Sequence, residues 1–108
     1  MELKFLSDDY AVTAQISIDD IEALKAQGFE MIIATRPDGE EATQPAHALL
    51  EEQAAKNGMK FAVVPMSGPQ VNDDLLAQFK NVLSPDLKTL GFCRTGNRAS
   101  ILWNAVNQ

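Results

Sequence analysis

The chain has 108 residues, 9 basic and 15 acidic, a formal charge of -6 at pH 7 and one cysteine. That length supports one domain with a modest core, a lone cysteine excludes an internal disulfide, and no apolar run is long enough to span a bilayer. The acidic balance leaves no basic stripe to neutralise nucleic-acid phosphates, so the expectation is a single cytoplasmic domain, residues 1–108, with a reduced thiol and neither nucleic acid nor membrane as partner.

Leu3-Lys4-Phe5-Leu6 and Tyr10 to Ala14 read as short strands of a hairpin around Ser7-Asp8-Asp9. Ser17 caps a predicted helix from about Ile18 to Gln27, stopped by Gly28. Asp19, Asp20 and Glu22 suit the positive end of its dipole, and Ile18, Ile21 and Leu24 form its apolar stripe. Phe29 to Thr35 is a near-continuous apolar run, as in a strand buried on both faces, and Arg36-Pro37-Asp38-Gly39-Glu40-Glu41 turns sharply after it. Pro45 starts a helix from about Ala46 to Lys56, ended by Asn57-Gly58; His47, in its first turn, reads as a surface or packing histidine.

Met59 to Val64 reads as a third buried strand, followed by a loop, Met66-Ser67-Gly68-Pro69-Gln70. Asn72 or Asp73 caps a helix in which Leu75, Leu76, Phe79, Val82 and Leu83 recur at helical spacing, and Ser84-Pro85-Asp86 closes it. Leu87 to Phe92 is the next strand. Arg98 opens a last helix, Ala99 to Val106, in which Trp103 reads as a core anchor. Alternating strands and helices imply an α/β fold: a mostly parallel sheet of four or five strands with helices on both faces. Loops at the carboxyl ends of such strands surround a crevice, which makes Arg36, Asp38 and Glu40 candidates for a site there; the other reading is an ordinary solvated turn.

The segment Cys93-Arg94-Thr95-Gly96-Asn97-Arg98-Ala99-Ser100 carries the chemistry. A strand-loop-helix turn points backbone N–H groups inward and ends on the positive pole of a helix, which binds oxyanions and favours thiolate over thiol. Gly96 lets the loop close, Arg98 supplies a planar fork for phosphate or sulfonate oxygens, and Arg94 adds positive charge. A small anionic substrate and a nucleophilic Cys93 are the expected pair.

Ala14-Gln15-Ile16-Ser17, Thr35-Arg36-Pro37-Asp38-Gly39-Glu40 with Gln44-Pro45, and Cys93-Arg94-Thr95-Gly96-Asn97-Arg98 together resemble the phosphatase-like domain of the bacterial beta-lactamase hydrolase-like family, related to the tyrosine and dual-specificity phosphatase fold. The resemblance covers most of the chain. It implies a cysteine phosphatase that needs no metal or cofactor. Cys93 would attack phosphorus, Arg98 and the amides of Arg94, Thr95, Gly96, Asn97 and Ala99 would hold the oxygens, and water would hydrolyse a phosphocysteine. Arg36 and Asp38 would shape or bind at the rim, and Asp38, Asp73 and Asp74 are the candidate general acids, the last two also being natural helix caps.

Four residues separate Cys93 from Arg98, where the larger phosphatases have five; Phe92 precedes the cysteine and Ala99 follows the arginine. The shorter loop is also similar to that of rhodanese sulfurtransferases, which carry sulfur as a cysteine persulfide and need no general acid. That activity and a non-catalytic oxyanion-binding domain are the alternative readings.

Overall fold

The computed structural model describes residues 1–84 and 86–107. In chain order the elements are β1 (Lys4–Ser7), β2 (Tyr10–Thr13), α1 (Ile18–Ala26), β3 (Met31–Ala34), α2 (His47–Lys56), β4 (Lys60–Val63), α3 (Asp73–Val82), β5 (Thr89–Phe92) and α4 (Asn97–Val106). They form one five-stranded sheet in the order β1-β2-β5-β3-β4, in which β1 runs antiparallel to β2 and the remaining pairings are parallel. The expected hairpin and mostly parallel sheet are both present. Among the described residues, no helix is long and apolar enough to cross a membrane.

Side-chain alternation along the strands builds two cores. On one face, Ile21 and Leu24 of α1 and Leu50 and Ala54 of α2 pack on Ile32, Leu90 and Phe92; on the other, Phe79 of α3 and Ala99 and Leu102 of α4 pack on Tyr10, Val12 and Ile33. Strands β2, β3 and β5 are buried throughout, as the apolar runs of β3 and β5 predict. Strand β4 departs from the expectation of a third buried strand. It lies at the sheet edge with one neighbour, so Lys60 and Val63 are exposed and Phe61 and Ala62 half-buried.

Helix starts follow the capping residues. The Asp20 carboxylate accepts the Ser17 N–H at 2.8 Å, and Asn72, not Asp73, caps α3 by accepting the Leu75 N–H at 2.8 Å. Helix α2 has Ala46 at its N-cap, a residue without an acceptor, and Asp38 reaches across from the preceding loop to accept the His47 N–H at 3.2 Å. His47 is buried and packs near the Phe61 ring, in keeping with a packing role. The predicted turn before β5 includes Pro85, which lies outside the described residues; Ser84 and Asp86 flank it.

Because β5, β3 and β4 are parallel, the loops that follow them leave the same end of the sheet. Strand β5 lies between β2 and β3, so the loop carrying Cys93 starts from the middle of the molecule.

Candidate active site

Cys93 is fully buried at the base of the loop, where its N–H points at the Thr13 carbonyl (3.4 Å) and its Sγ accepts the Gly96 N–H at 3.1 Å. Gly96 has φ +91, the left-handed region, and a Cβ there would lie 3.3 Å from the Thr13 carbonyl carbon. Torsion and close approach to β2 therefore both select glycine. Helix α4 starts at Asn97, earlier than the sequence suggested, so Arg98 and Ala99 sit in its first turn with amides that have no partner inside the helix. Burial pushes the Cys93 thiol up, but the amides of Ala99, Thr95, Arg98 and Gly96 together outweigh it and hold the sulfur below the ordinary thiol value. Arg94, Thr95 and Asn97 have exposed side chains, so what Thr95 gives the sulfur is backbone; its hydroxyl accepts the Asn97 N–H at 3.3 Å.

Arg98 is held from two other loops. Its Nη1 and Nη2 donate to the two oxygens of Glu40, each at 2.8 Å, and Nη1 also donates to the Met66 carbonyl at 2.7 Å. Both Nη1 hydrogens and one on Nη2 are thereby used. Among the described residues, the Nε hydrogen and the second Nη2 hydrogen have no oxygen partner and lie along one edge of the guanidinium, the arrangement that grips two oxygens of a tetrahedral anion. The nearby Cys93 thiolate adds to the pull of Glu40 in keeping Arg98 protonated.

Arg36 is buried and spends its donors inside the protein: Nε on Glu40 at 2.8 Å, Nη1 on Gln15 at 2.9 Å, and Nη2 on Glu41. It organises the rim from behind. Gln44 closes the same loop, accepting the Glu41 N–H and donating to the Pro37 carbonyl, both at 3.0 Å. Arg94 pairs with Glu41 at 3.1 Å on the surface. The loop after β3 thus joins the site, but through Arg36 and Glu40. Asp38 is turned to the start of α2, while Asp73 and Asp74 are exposed on the first turn of α3, with Asp74 accepting from Gln78 at 3.1 Å.

Two contributors have no signal in residue type alone. The Met66 carbonyl is backbone, and Glu41 looks like one more acidic residue of a turn. The i,i+4 spacing of Arg36 and Glu40 is a usable clue, since it lets one loop pair with itself and still present a carboxylate to Arg98.

The Arg98 hydrogen bond, opposed by partial burial and reinforced by Arg36, lowers Glu40 from 4.5 to about 2. Its contribution to stability is therefore complete above pH 4.5 and is lost as the pH falls through about 2. Glu40→Gln is expected to melt below the wild type at neutral pH, with the gap closing as the solution is acidified from pH 4.5 toward 2. Melting curves across that range check it; a gap that stays constant would remove the ionised carboxylate from the account.

A cysteine loop at the carboxyl end of the central parallel strand, closed by a helix N-terminus, places the domain in the cysteine-phosphatase-like class of α/β folds. Residues 2–108 match the model of the beta-lactamase hydrolase-like protein, phosphatase-like domain, and the chain belongs to that family. It is 32% identical over 99 residues to a beta-lactamase hydrolase-like protein of Agrobacterium fabrum, covering 91% of this chain and 23% of that protein. A crystal structure of a candidate phosphatase from Neisseria meningitidis is similar at a TM-score of 0.82 and 29% identity, over 94% of this chain and 72% of that one. The core catalytic domain of the PP-IP phosphatase SIW14 from S. cerevisiae shares the fold at a TM-score of 0.68 and 19% identity, over 93% and 61% of the two chains.

Proposed function

We propose that this domain is a cysteine-dependent phosphoester hydrolase. The observation that carries the reading is the set of donors around one sulfur: the amides of Thr95, Gly96, Arg98 and Ala99, and the unspent edge of Arg98 beside them. In this reading the Cys93 thiolate forms an S–P bond as the P–O ester bond breaks, and the leaving oxygen keeps the bonding pair. Water then attacks phosphorus, the S–P bond breaks, and inorganic phosphate and the thiolate are released. Loop amides and Arg98 stabilise the charge that builds on the non-bridging oxygens in each step.

Among the described residues the leaving oxygen finds no ready acid. Asp38 caps α2, Asp73 and Asp74 are exposed on α3, and Glu40 is kept ionised by the two arginines. Aryl phosphates, whose leaving groups need no protonation, are therefore the substrates this site favours over alkyl phosphates.

The same observation favours a second reading, sulfur transfer, in which Cys93 takes the outer sulfur of thiosulfate, releases sulfite and passes the sulfur to an acceptor without a general acid. The experiment that separates them offers the protein an aryl phosphate and, in a parallel reaction, thiosulfate with cyanide. Phenol release with a phosphoryl group trapped on Cys93 by acid quench and mass measurement is the expected result. Thiocyanate formation without phenol would reassign Cys93 as a sulfur carrier, and silence in both would leave an oxyanion-binding domain.

A further inference from the structure

Thr35 follows the apolar strand β3 and is fully buried although it carries a hydroxyl. A buried hydroxyl needs a partner, and this one donates to the Phe92 carbonyl at 3.0 Å. The Thr35 N–H donates to the same oxygen at 2.9 Å, continuing the β3–β5 ladder one rung past the pairing of Ala34 with Phe92. One residue thus occupies both lone pairs of one carbonyl. The backbone bond alone would satisfy that oxygen, and valine has nearly the same shape as threonine, so the hydroxyl does something other than fill space.

Its place in the sheet indicates what. The Phe92 carbonyl belongs to the peptide that leads into Cys93, where the strand stops and the loop begins. The other end of that peptide is held loosely: the Cys93 N–H lies 3.4 Å from the Thr13 carbonyl, beyond the usual length of such a bond. Thr35 therefore supplies the tighter restraint, and two donors reaching one oxygen limit both the tilt and the rotation of the peptide. That peptide sets the direction of the Cys93 side chain, whose Sγ accepts the Gly96 N–H at 3.1 Å.

The same residue is tied to the arginine. The Thr35 carbonyl accepts the Met66 N–H at 3.0 Å, and the Met66 carbonyl accepts from Arg98 at 2.7 Å. Arg36, the next residue in the chain, donates to Glu40, the other partner of Arg98. Nucleophile and anion clamp share one branch point, and the hydroxyl sits on the arm that leads to the sulfur.

We propose that the Thr35 hydroxyl is a positioning group for the nucleophile, fixing the Phe92–Cys93 peptide so that the Cys93 sulfur meets the amides of its loop. It acts through the Phe92 backbone. This deepens the reading of Cys93 as a nucleophile and rests on it. The ionisable side chains felt by the sulfur are Arg98 of α4 and Tyr10 of β2, with Glu40 acting through Arg98, and among the described residues none of them exchanges a hydrogen bond with the Thr35 hydroxyl.

Three variants separate hydroxyl from shape. Thr35→Ser keeps the hydroxyl and loses the branch, Thr35→Val keeps the branch and loses the hydroxyl, and Thr35→Ala loses both. The Thr35 N–H still satisfies the Phe92 oxygen in each, so the fold should persist, which melting curves check. With one cysteine in the chain, ultraviolet thiolate absorbance, taken against the matching Cys93→Ser protein, follows Cys93 without requiring turnover. Thr35→Ser is expected to keep the wild-type midpoint, while Thr35→Val and Thr35→Ala raise it by about half a pH unit, about threefold less thiolate at a fixed pH below it. In those two variants kcat for an aryl phosphate should fall about tenfold with KM within about twofold of wild type. The two ideas fail separately: the phosphoester reading fails if no aryl phosphate is cleaved, whereas the titration decides the role of Thr35 with or without turnover. A midpoint unmoved in both Thr35→Val and Thr35→Ala would overturn the assignment. So would grouping by shape, with Thr35→Val like wild type and Thr35→Ser like Thr35→Ala, because packing alone produces that order.

Discussion

Replacing Cys93 with serine is expected to lower kcat for aryl phosphate hydrolysis by at least about a thousandfold while leaving the fold in place. The serine oxygen fits the thiol's position and can accept the same Gly96 N–H, so neither the loop nor the core beneath it is disturbed. What is lost is ionisation. The loop amides bring a thiol below its ordinary value against the opposing effect of burial, but a hydroxyl starts too far from neutral pH for the same donors to deprotonate it. Affinity for inorganic phosphate should survive, because the amides and Arg98 remain. Phenol release, a melting curve and phosphate titration check the three parts. A variant that keeps more than about a tenth of the activity would place the nucleophile elsewhere.

Arg98→Lys should lower kcat/KM by about a hundredfold or more without changing the net charge of the site. The guanidinium meets both Glu40 oxygens and the Met66 carbonyl and still has two parallel donors to offer, whereas an ammonium has three hydrogens in all and cannot serve both sides. Lysine retains the attraction of a distant anion, so the loss should appear mainly in the chemical step. Steady-state kinetics with an aryl phosphate, together with its dependence on ionic strength, separates the two. Activity within about fivefold of wild type would show that charge alone suffices and that the fork shape is irrelevant.

Most of the architecture was legible in the sequence, because period and punctuation agreed: apolar runs at β3 and β5, Ser17 and Asn72 at helix starts, and glycines 28 and 58 after helix ends. The burial of β4 was misjudged for a physical reason. An apolar run tells what a strand can cover, and its rank in the sheet is decided by which strands pair, so Met59 to Val64 reads as buried while lying at the edge. At the site, Cys93, Gly96 and Arg98 could be read because a strand-loop-helix turn constrains its own residues. The partners of Arg98 could not, since Glu40 and Met66 are 58 and 32 residues away in sequence and one of them acts through a carbonyl. Asp38 was visible as a carboxylate on the right loop, and only the missing acceptor at Ala46 explains its turn toward α2.

The central position of β5 divides the site into two parts with different sensitivities. The sulfur ends a strand laddered on both sides, so its amides should exchange with solvent only when the whole domain opens. The loop that aims Arg98 is tied by ion pairs that reach the surface at Glu40, Glu41 and Arg94, and added salt weakens such ties long before it disturbs the sheet. Ionic strength therefore acts on the aim of the arginine, and denaturant on the placement of the nucleophile.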